Sequence, residues 1–150
     1  GHKELADQTA VKQWLQSVCQ ELILQGADEF YLGGYGAFDS LCASVLRELK
    51  SENDYLQLIL VLPYLNSNII TDGYDETVYP PLESVPKRYA ISRRNEWMVR
   101  ESDIVVAYVI RGFGGAAKTL EFAQRKKKRI IAYNPALSNH LGLNDSWRNL

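Results

Sequence analysis

The sequence predicts an α/β fold: a Rossmann-like three-layer sandwich with a mostly parallel sheet, folded as a single domain. Short apolar runs of strand length alternate with stretches whose apolar residues recur at helical spacing. That alternation calls for βαβ units, with helices on both faces of a parallel sheet. Two glycine clusters, at Gly33–Gly36 and Gly112–Gly115, each fall between a strand and a following helix. In such a sheet these turns lie at the carboxyl ends of the strands, where ligands bind near the switch point of the strand order. The length of 150 residues suits one domain with a sizeable core.

The elements follow in order. Val11, Leu15, Val18 and Leu22 mark a first helix over Val11–Leu24, and Gly26 supplies its stop. Phe30-Tyr31-Leu32 is a short buried strand. Phe38, Leu41, Cys42, Val45, Leu46 and Leu49 give a second helix an apolar stripe. "LQLILVL", Leu56 to Leu62, has the length of an interior strand and is ended by Pro63. Residues 64–87 form a long connection, rich in Pro, Asp and Asn yet carrying three tyrosines, which marks it as functional rather than disordered. Ile91–Glu101 is a helix anchored by Trp97 and Met98, "IVVAYVI" from Ile104 is a strand, and a helix covers about Ala116–Lys127. Arg129–Tyr133 is the last strand, stopped by Asn134-Pro135.

Hydrophobic residues are 46% of the chain and charged residues 23%, with a net charge of −1. That balance gives no bulk attraction to nucleic acid or to an acidic membrane. No apolar run approaches the roughly 20 residues of a membrane span, and no signal peptide is visible, so a cytoplasmic protein is expected. Cys19 and Cys42 do not make a disulfide framework, and both sit on apolar helix faces as buried thiols. His2 and His140 have no partners at metal-ligand spacing, and neither a metal nor a cofactor is expected.

The candidate chemistry gathers at the glycine clusters. A glycine-rich strand-to-helix turn presents free backbone N–H groups at the positive end of a helix dipole, which suits a phosphate. "GGYG" is neither GxGxxG nor a P-loop, so one such turn is weak evidence, while two at one sheet edge point to a ligand. Gly33, Gly34, Tyr35 and Gly36 form the first candidate loop. Asp39 behind them either caps the helix or bonds a ligand hydroxyl. Gly114, Gly115, Ala116, Lys118 and Thr119 form the second. In "RRNEWM", Arg93 and Arg94 offer forks for phosphate or carboxylate beside Asn95. Glu121, on the first turns of the following helix, either pairs with the helix N-terminus or serves as a general acid/base. The basic run "RKKKR", Arg125–Arg129, suits a solvated helix end.

"FYLGGYGAFDSLC", "RRNEWMVRESDIVVAYV" and "GGAAKTLEFA" together resemble the SLOG superfamily over about residues 1–135. That superfamily includes the Smf/DprA DNA-processing domain, the LOG-type phosphoribohydrolases and small stand-alone bacterial and phage proteins of the YpsA-like type. The small proteins are the nearest in pattern. The resemblance implies a Rossmann-like domain that binds nucleotides or nucleotide-derived ligands at its glycine loops. It also implies a first strand running into Gly1-His2-Lys3, which would be absent from this chain; the alternative is that Gly1-His2 is a tag scar. In the phosphoribohydrolases an arginine and a glutamate cleave the N-glycosidic bond of a nucleoside monophosphate, and the glutamate ends a PGGxGTxxE motif. Here Gly114, Gly115 and Glu121 match, and Arg94 corresponds to the arginine. Phe113, Ala117 and Lys118 replace the motif's proline, third glycine and threonine, which puts hydrolysis in doubt.

The expected function is therefore binding of a nucleotide-type small molecule, as a sensor or sponge. The alternative is a nucleotide N-glycosidase using Glu121 and Arg94. The resemblance further implies a homodimer. A DNA-processing role through the basic run is disfavoured, because no extended basic face accompanies it.

Overall fold

Asp7 opens the first helix, α1 (Gln8–Leu24): its carboxylate accepts the Ala10 N–H at 3.1 Å. Such a cap satisfies one of the helix's orphan donors. The computed structural model describes residues 7–65, 68–109, 112 and 114–133. Gly1-His2-Lys3, Phe113, Asn134-Pro135 and His140 lie outside the described residues. Gly26 ends α1 as expected, with a φ of 106° that a side chain disfavours, while the Ala27 N–H returns to the Leu22 carbonyl at 2.9 Å.

β1 (Glu29–Leu32) leads through the first glycine cluster into α2 (Gly36–Lys50), which returns to β2 (Gln57–Val61). β1 and β2 pair in parallel, Glu29 opposite Gln57 through Leu32 opposite Leu60. α3 (Lys87–Glu101) starts behind Pro86, a turn earlier than the apolar pattern from Ile91 suggests. It is followed by β4 (Ile104–Tyr108), α4 (Gly115–Arg125) and β5 (Arg129–Tyr133), the two strands again parallel. The expected α/β class with parallel strands is what the chain adopts.

The connection 64–87 holds a strand that the sequence does not announce: β3 (Glu76–Val78) pairs in parallel with β2, Ile59 opposite Glu76. Neighbouring parallel strands need a crossover of a dozen residues or more, which accounts for the length of the connection. α2 pins it. The Arg47 guanidinium donates to the carbonyls of Gly73 at 3.1 Å and Asp72 at 3.3 Å, and lies over the Tyr74 ring at 5.2 Å. Gly73 has a φ of 85°, and a Cβ there would come within 2.5 Å of the Arg47 side chain.

Among the described residues the strands pair as two sheets, β1-β2-β3 and β4-β5, where the alternation alone suggests one. Periodicity identifies strands, but it does not say which strand lies beside which. The two sheets nevertheless belong to one layer. Ile104, Val106, Tyr108, Ile131 and Tyr133 join the core built by α1 and α2, together with Leu32 and Leu58. Val105 and Ile130, which alternate with them, pack instead with Val99 of α3 and Phe122 of α4. Alternate residues of a strand face opposite ways, so helices cover both faces and the architecture has three layers.

Of the two cysteines expected to be buried thiols, Cys19 is buried and Cys42 is only partly so. Burial pushes the Cys19 pKa up to about 12. Cys42 is partly buried against the core, and its pKa is raised by burial first and by the Asp39 carboxylate second. The basic run closes α4: Lys127 takes the left-handed conformation at φ 57°, and the Lys128 N–H returns to the Ala123 carbonyl at 3.1 Å. Arg129 then opens β5 and donates to the Gln25 side chain at 2.9 Å.

Asp75 extends the β2–β3 pairing by one side chain. Its carboxylate accepts the Leu58 N–H at 2.8 Å, its own N–H donates to the Leu58 carbonyl at 2.8 Å, and Lys50 pairs with it. These contacts, the Leu58 N–H first, hold its pKa below the ordinary carboxylate value. A carboxylate depressed in the folded state stabilises the fold above its unfolded-state pKa, and that stabilisation is lost as pH falls through the folded value. Asp75→Asn should therefore flatten the loss of stability below about pH 4. Urea midpoints for both proteins across the acid range measure this, and equal slopes would refute it.

Candidate functional site

A cavity of about 580 Å³ lies between β1, β4, α3 and the start of α4. That volume is within the range of small-molecule sites. Gly33, Tyr35 and Asp39 border it from the β1–α2 turn, Arg94 and Asn95 from α3, and Gly114, Gly115, Ala116 and Thr119 from the start of α4. Nine of the sequence-predicted residues thus meet at one cavity at the carboxyl edge of the strands.

Arg94 organises the β1 side. It is 3% exposed, and its Nη1 donates to the Gly33 carbonyl at 2.9 Å and to the Val61 carbonyl at 2.8 Å. Its Nε donates to the Asn95 Oδ1 at 2.9 Å. One side chain from α3 therefore ties together the carboxyl ends of β1 and β2. Burial lowers the Arg94 pKa, and the Asp39 carboxylate opposes that shift. Arginine stays charged under this pressure, because its guanidinium is so weak an acid. The arginine is a structural clamp, a role beyond the ligand fork that its sequence context suggested.

The first glycine cluster has structural reasons of its own. A Cβ on Gly33 would stand 3.1 Å from the Asp39 Oδ2 and 3.2 Å from the Arg94 guanidinium carbon. Gly34 has a φ of 72°, and a Cβ there would meet the Leu60 side chain at 2.6 Å. Gly36, at φ 89°, is the first residue of α2. Asp39 accepts the Tyr35 N–H at 3.1 Å, which binds the turn to the helix behind it. Tyr35 itself is half exposed beside the cavity.

The second cluster is open. Among the described residues nothing stands within 4 Å of a Cβ added at Gly114 or Gly115, and Gly114 has a φ of 97°. Neither N-cap residue, Tyr35 of α2 or Gly114 of α4, makes a side-chain cap bond, and at α2 the Asp39 carboxylate takes up the Tyr35 N–H. Both helices begin at the cavity, so both present backbone N–H groups and the positive ends of their dipoles to it. Thr119 does not face this role alone, since its hydroxyl donates to the Gly115 carbonyl at 2.9 Å.

Five predicted residues stand apart from the cavity lining. Gly34 and Gly36 shape the turn. Arg93 is exposed and pairs with Glu96 at 3.2 Å. Lys118 and Glu121 lie on the exposed side of α4, so Arg94 and Glu121 do not share the cavity. The sequence reading missed the other wall: Tyr31, Met98, Ser102, the whole of β4 and Val109 just after it. "IVVAYVI" reads as a buried strand, and no residue in it signals an open edge.

Among the described residues no group of three or more His, Cys, Asp or Glu is placed to hold a metal ion, and no helix is long and apolar enough to cross a membrane. No protein-family model matches the chain, and no curated protein matches it.

Arg94→Lys should cost about 2–4 kcal/mol of stability in urea unfolding, because an ammonium cannot reach two strand ends and Asn95 as a planar fork does. A loss below about 0.5 kcal/mol would show that Arg94 does not clamp the strand ends. Gly34→Ala should cost more than about 1 kcal/mol by the same assay, from its backbone conformation and the Leu60 contact together.

Proposed function

We propose that the carboxyl edge of this domain binds a nucleotide or nucleotide-derived ligand, in the manner of a sensor or a sponge. The observation that carries the reading is the convergence of two helix N-termini, α2 and α4, on one cavity of about 580 Å³; Gly114 at the start of α4 makes no cap bond, while at α2 the Asp39 carboxylate holds the Tyr35 N–H. Oriented N–H groups at helix starts favour phosphate. Gly114 and Gly115 leave open space for close approach to the backbone. Asp39 supplies an acceptor for sugar hydroxyls, and the half-exposed Tyr35 ring supplies a face for a base. The SLOG-like pattern of the glycine loops agrees with this choice of ligand.

Among the described residues, none lining the cavity favours the hydrolase alternative. Glu121 is exposed and outside the lining, and Arg94 spends one nitrogen on two backbone carbonyls. A binding role needs neither residue to act on a substrate.

The test is titration calorimetry with a panel of nucleoside monophosphates, NAD and ADP-ribose, alongside chromatography for released base. At least one member should bind. Gly115→Asp places a carboxylate in the first turn of α4 and should weaken that binding at least tenfold, about 1.4 kcal/mol, without lowering the urea midpoint. Free base should stay at background in the wild type. Base release that disappears in Glu121→Gln would replace binding with N-glycosidic hydrolysis. A panel without a binder, or binding indifferent to Gly115→Asp, would overturn the site.

A further inference from the structure

Arg94 uses only part of its guanidinium to hold the strand ends. Nη1 serves the Gly33 and Val61 carbonyls, and Nε serves the Asn95 Oδ1. Nη2 carries two further donors, and among the described residues it bonds to nothing. No side-chain nitrogen or oxygen among those residues is both buried and without a partner. Nη2 therefore reaches open space, although Arg94 as a whole is 3% exposed, and the space that Arg94 borders is the cavity.

The same contact orients Asn95. A guanidinium has no acceptor, so the amide must turn its oxygen to Nε. The amide nitrogen, with two donors of its own, is left over at the cavity wall. Arg94 and Asn95 thus offer Nη2 and Nδ2 together, and the bond from Nε to Oδ1 fixes one relative to the other.

The acceptor opposite them is Asp39. A Cβ on Gly33 would stand 3.1 Å from the Asp39 Oδ2 and 3.2 Å from the Arg94 Nη2. The two charges face each other across the glycine, and none of the ion pairs among the described residues joins them. An oxygen seated between them has to accept from Nη2 and donate to the carboxylate. A hydroxyl does both. An ionised phosphate oxygen only accepts, and the Asp39 charge repels it. The two helix starts differ in the same sense. α2 carries Asp39 in its first turn, whereas the first turn of α4 holds no acid. Anionic charge therefore belongs at α4, and a neutral hydroxylated group at α2.

We infer that Arg94 Nη2, Asn95 Nδ2 and the Asp39 carboxylate form a subsite for two vicinal hydroxyls, the 2′,3′-diol of a ribose, and so select ribonucleotides against deoxyribonucleotides. One hydroxyl bridges Nη2 and Asp39, and its neighbour accepts from Asn95. Asn95 is the specificity-determining residue, because its two donors have no use in the strand clamp. The phosphate then lies towards Gly114 and Gly115. This assignment rests on the nucleotide reading of the cavity and adds which part of the ligand faces α2.

The experiment compares AMP, GMP, CMP and UMP with their 2′-deoxy and 3′-deoxy forms by titration calorimetry, on the wild type and on Asn95→Asp. Each deoxy form should bind the wild type at least tenfold more weakly, because a site built to bond a hydroxyl is left with unpaired groups without it. Asn95→Asp keeps an acceptor for Nε and removes the Nδ2 donors, so the urea midpoint should not fall. Its added charge weakens every nucleotide alike, and the readout is the ratio of ribo to deoxy affinity, which should fall close to parity. Ribo and deoxy forms that bind the wild type equally, both weakened by Gly115→Asp, would overturn the diol subsite and leave the nucleotide site standing. A ratio unchanged in Asn95→Asp would overturn it as well. The side-chain amide of Asn95 is followed by NMR in parallel, with ribose 5-phosphate and 2-deoxyribose 5-phosphate at millimolar concentration. Its resonances should move with the first and not with the second. That arm decides the case if no nucleotide binds: movement upholds the diol subsite while the nucleotide reading fails, and no movement overturns both.

Discussion

The fold and its candidate site both depend on the Arg94 guanidinium. It is buried, and it holds the last carbonyls of two neighbouring strands, Gly33 after β1 and Val61 in β2. A guanidinium carries five donors in a planar fork and no acceptor, so it can bind diverging carbonyls that no lysine would join. The clamp fixes α3 over the carboxyl edge and places Asn95 beside the cavity. It also explains Gly33, where any side chain would press on the guanidinium and on Asp39. A single buried cation thus sets the strand ends, the turn that follows them and one wall of the cavity.

The two glycine clusters look alike in sequence and do different work. Gly33 and Gly34 are required by what surrounds them: Arg94, Asp39 and Leu60 leave no room for a Cβ, and Gly34 needs a positive φ. Among the described residues nothing crowds a Cβ at Gly114 or Gly115, and Gly114, at φ 97°, needs glycine for its backbone conformation alone. A tight turn and a ligand approach were the two readings of such clusters, and the chain uses the first reading at one cluster while leaving the second available at the other. Asp39 likewise takes its bland role, accepting the Tyr35 N–H, and still lines the cavity. These roles are compatible, because a carboxylate has lone pairs to spare.

The connection between β2 and α3 is tethered rather than lid-like. Arg47, Lys50 and Asp75 fasten it to α2 and β2, and β3 extends the sheet within it. β3 is three residues long and exposed at its start, so it carries no apolar run for a sequence reading to find. Its place is decided by Asp75, which pairs with the Leu58 backbone from seventeen residues away. Contacts at that separation leave no local pattern.

Helical spacing and strand-length apolar runs were enough to determine the α/β class, four helices and four of the five strands, because each rests on a local period that burial imposes on one segment. The meeting of the glycine turns with Asp39 and Asn95 at one edge also follows from the alternation, since parallel strands bring every strand-to-helix turn to the same side. Tertiary structure decided what depends on neighbours. Which strand lies beside which, β1-β2-β3 and β4-β5 among the described residues, was decided there, because pairing is a relation between segments and no segment records its partner. Arg94 became a clamp because two carbonyls from different strands converged on it. Glu121 fell outside the cavity because the rotation of α4 about its axis, set by Phe122 and Ala123 in the core, turns it to solvent.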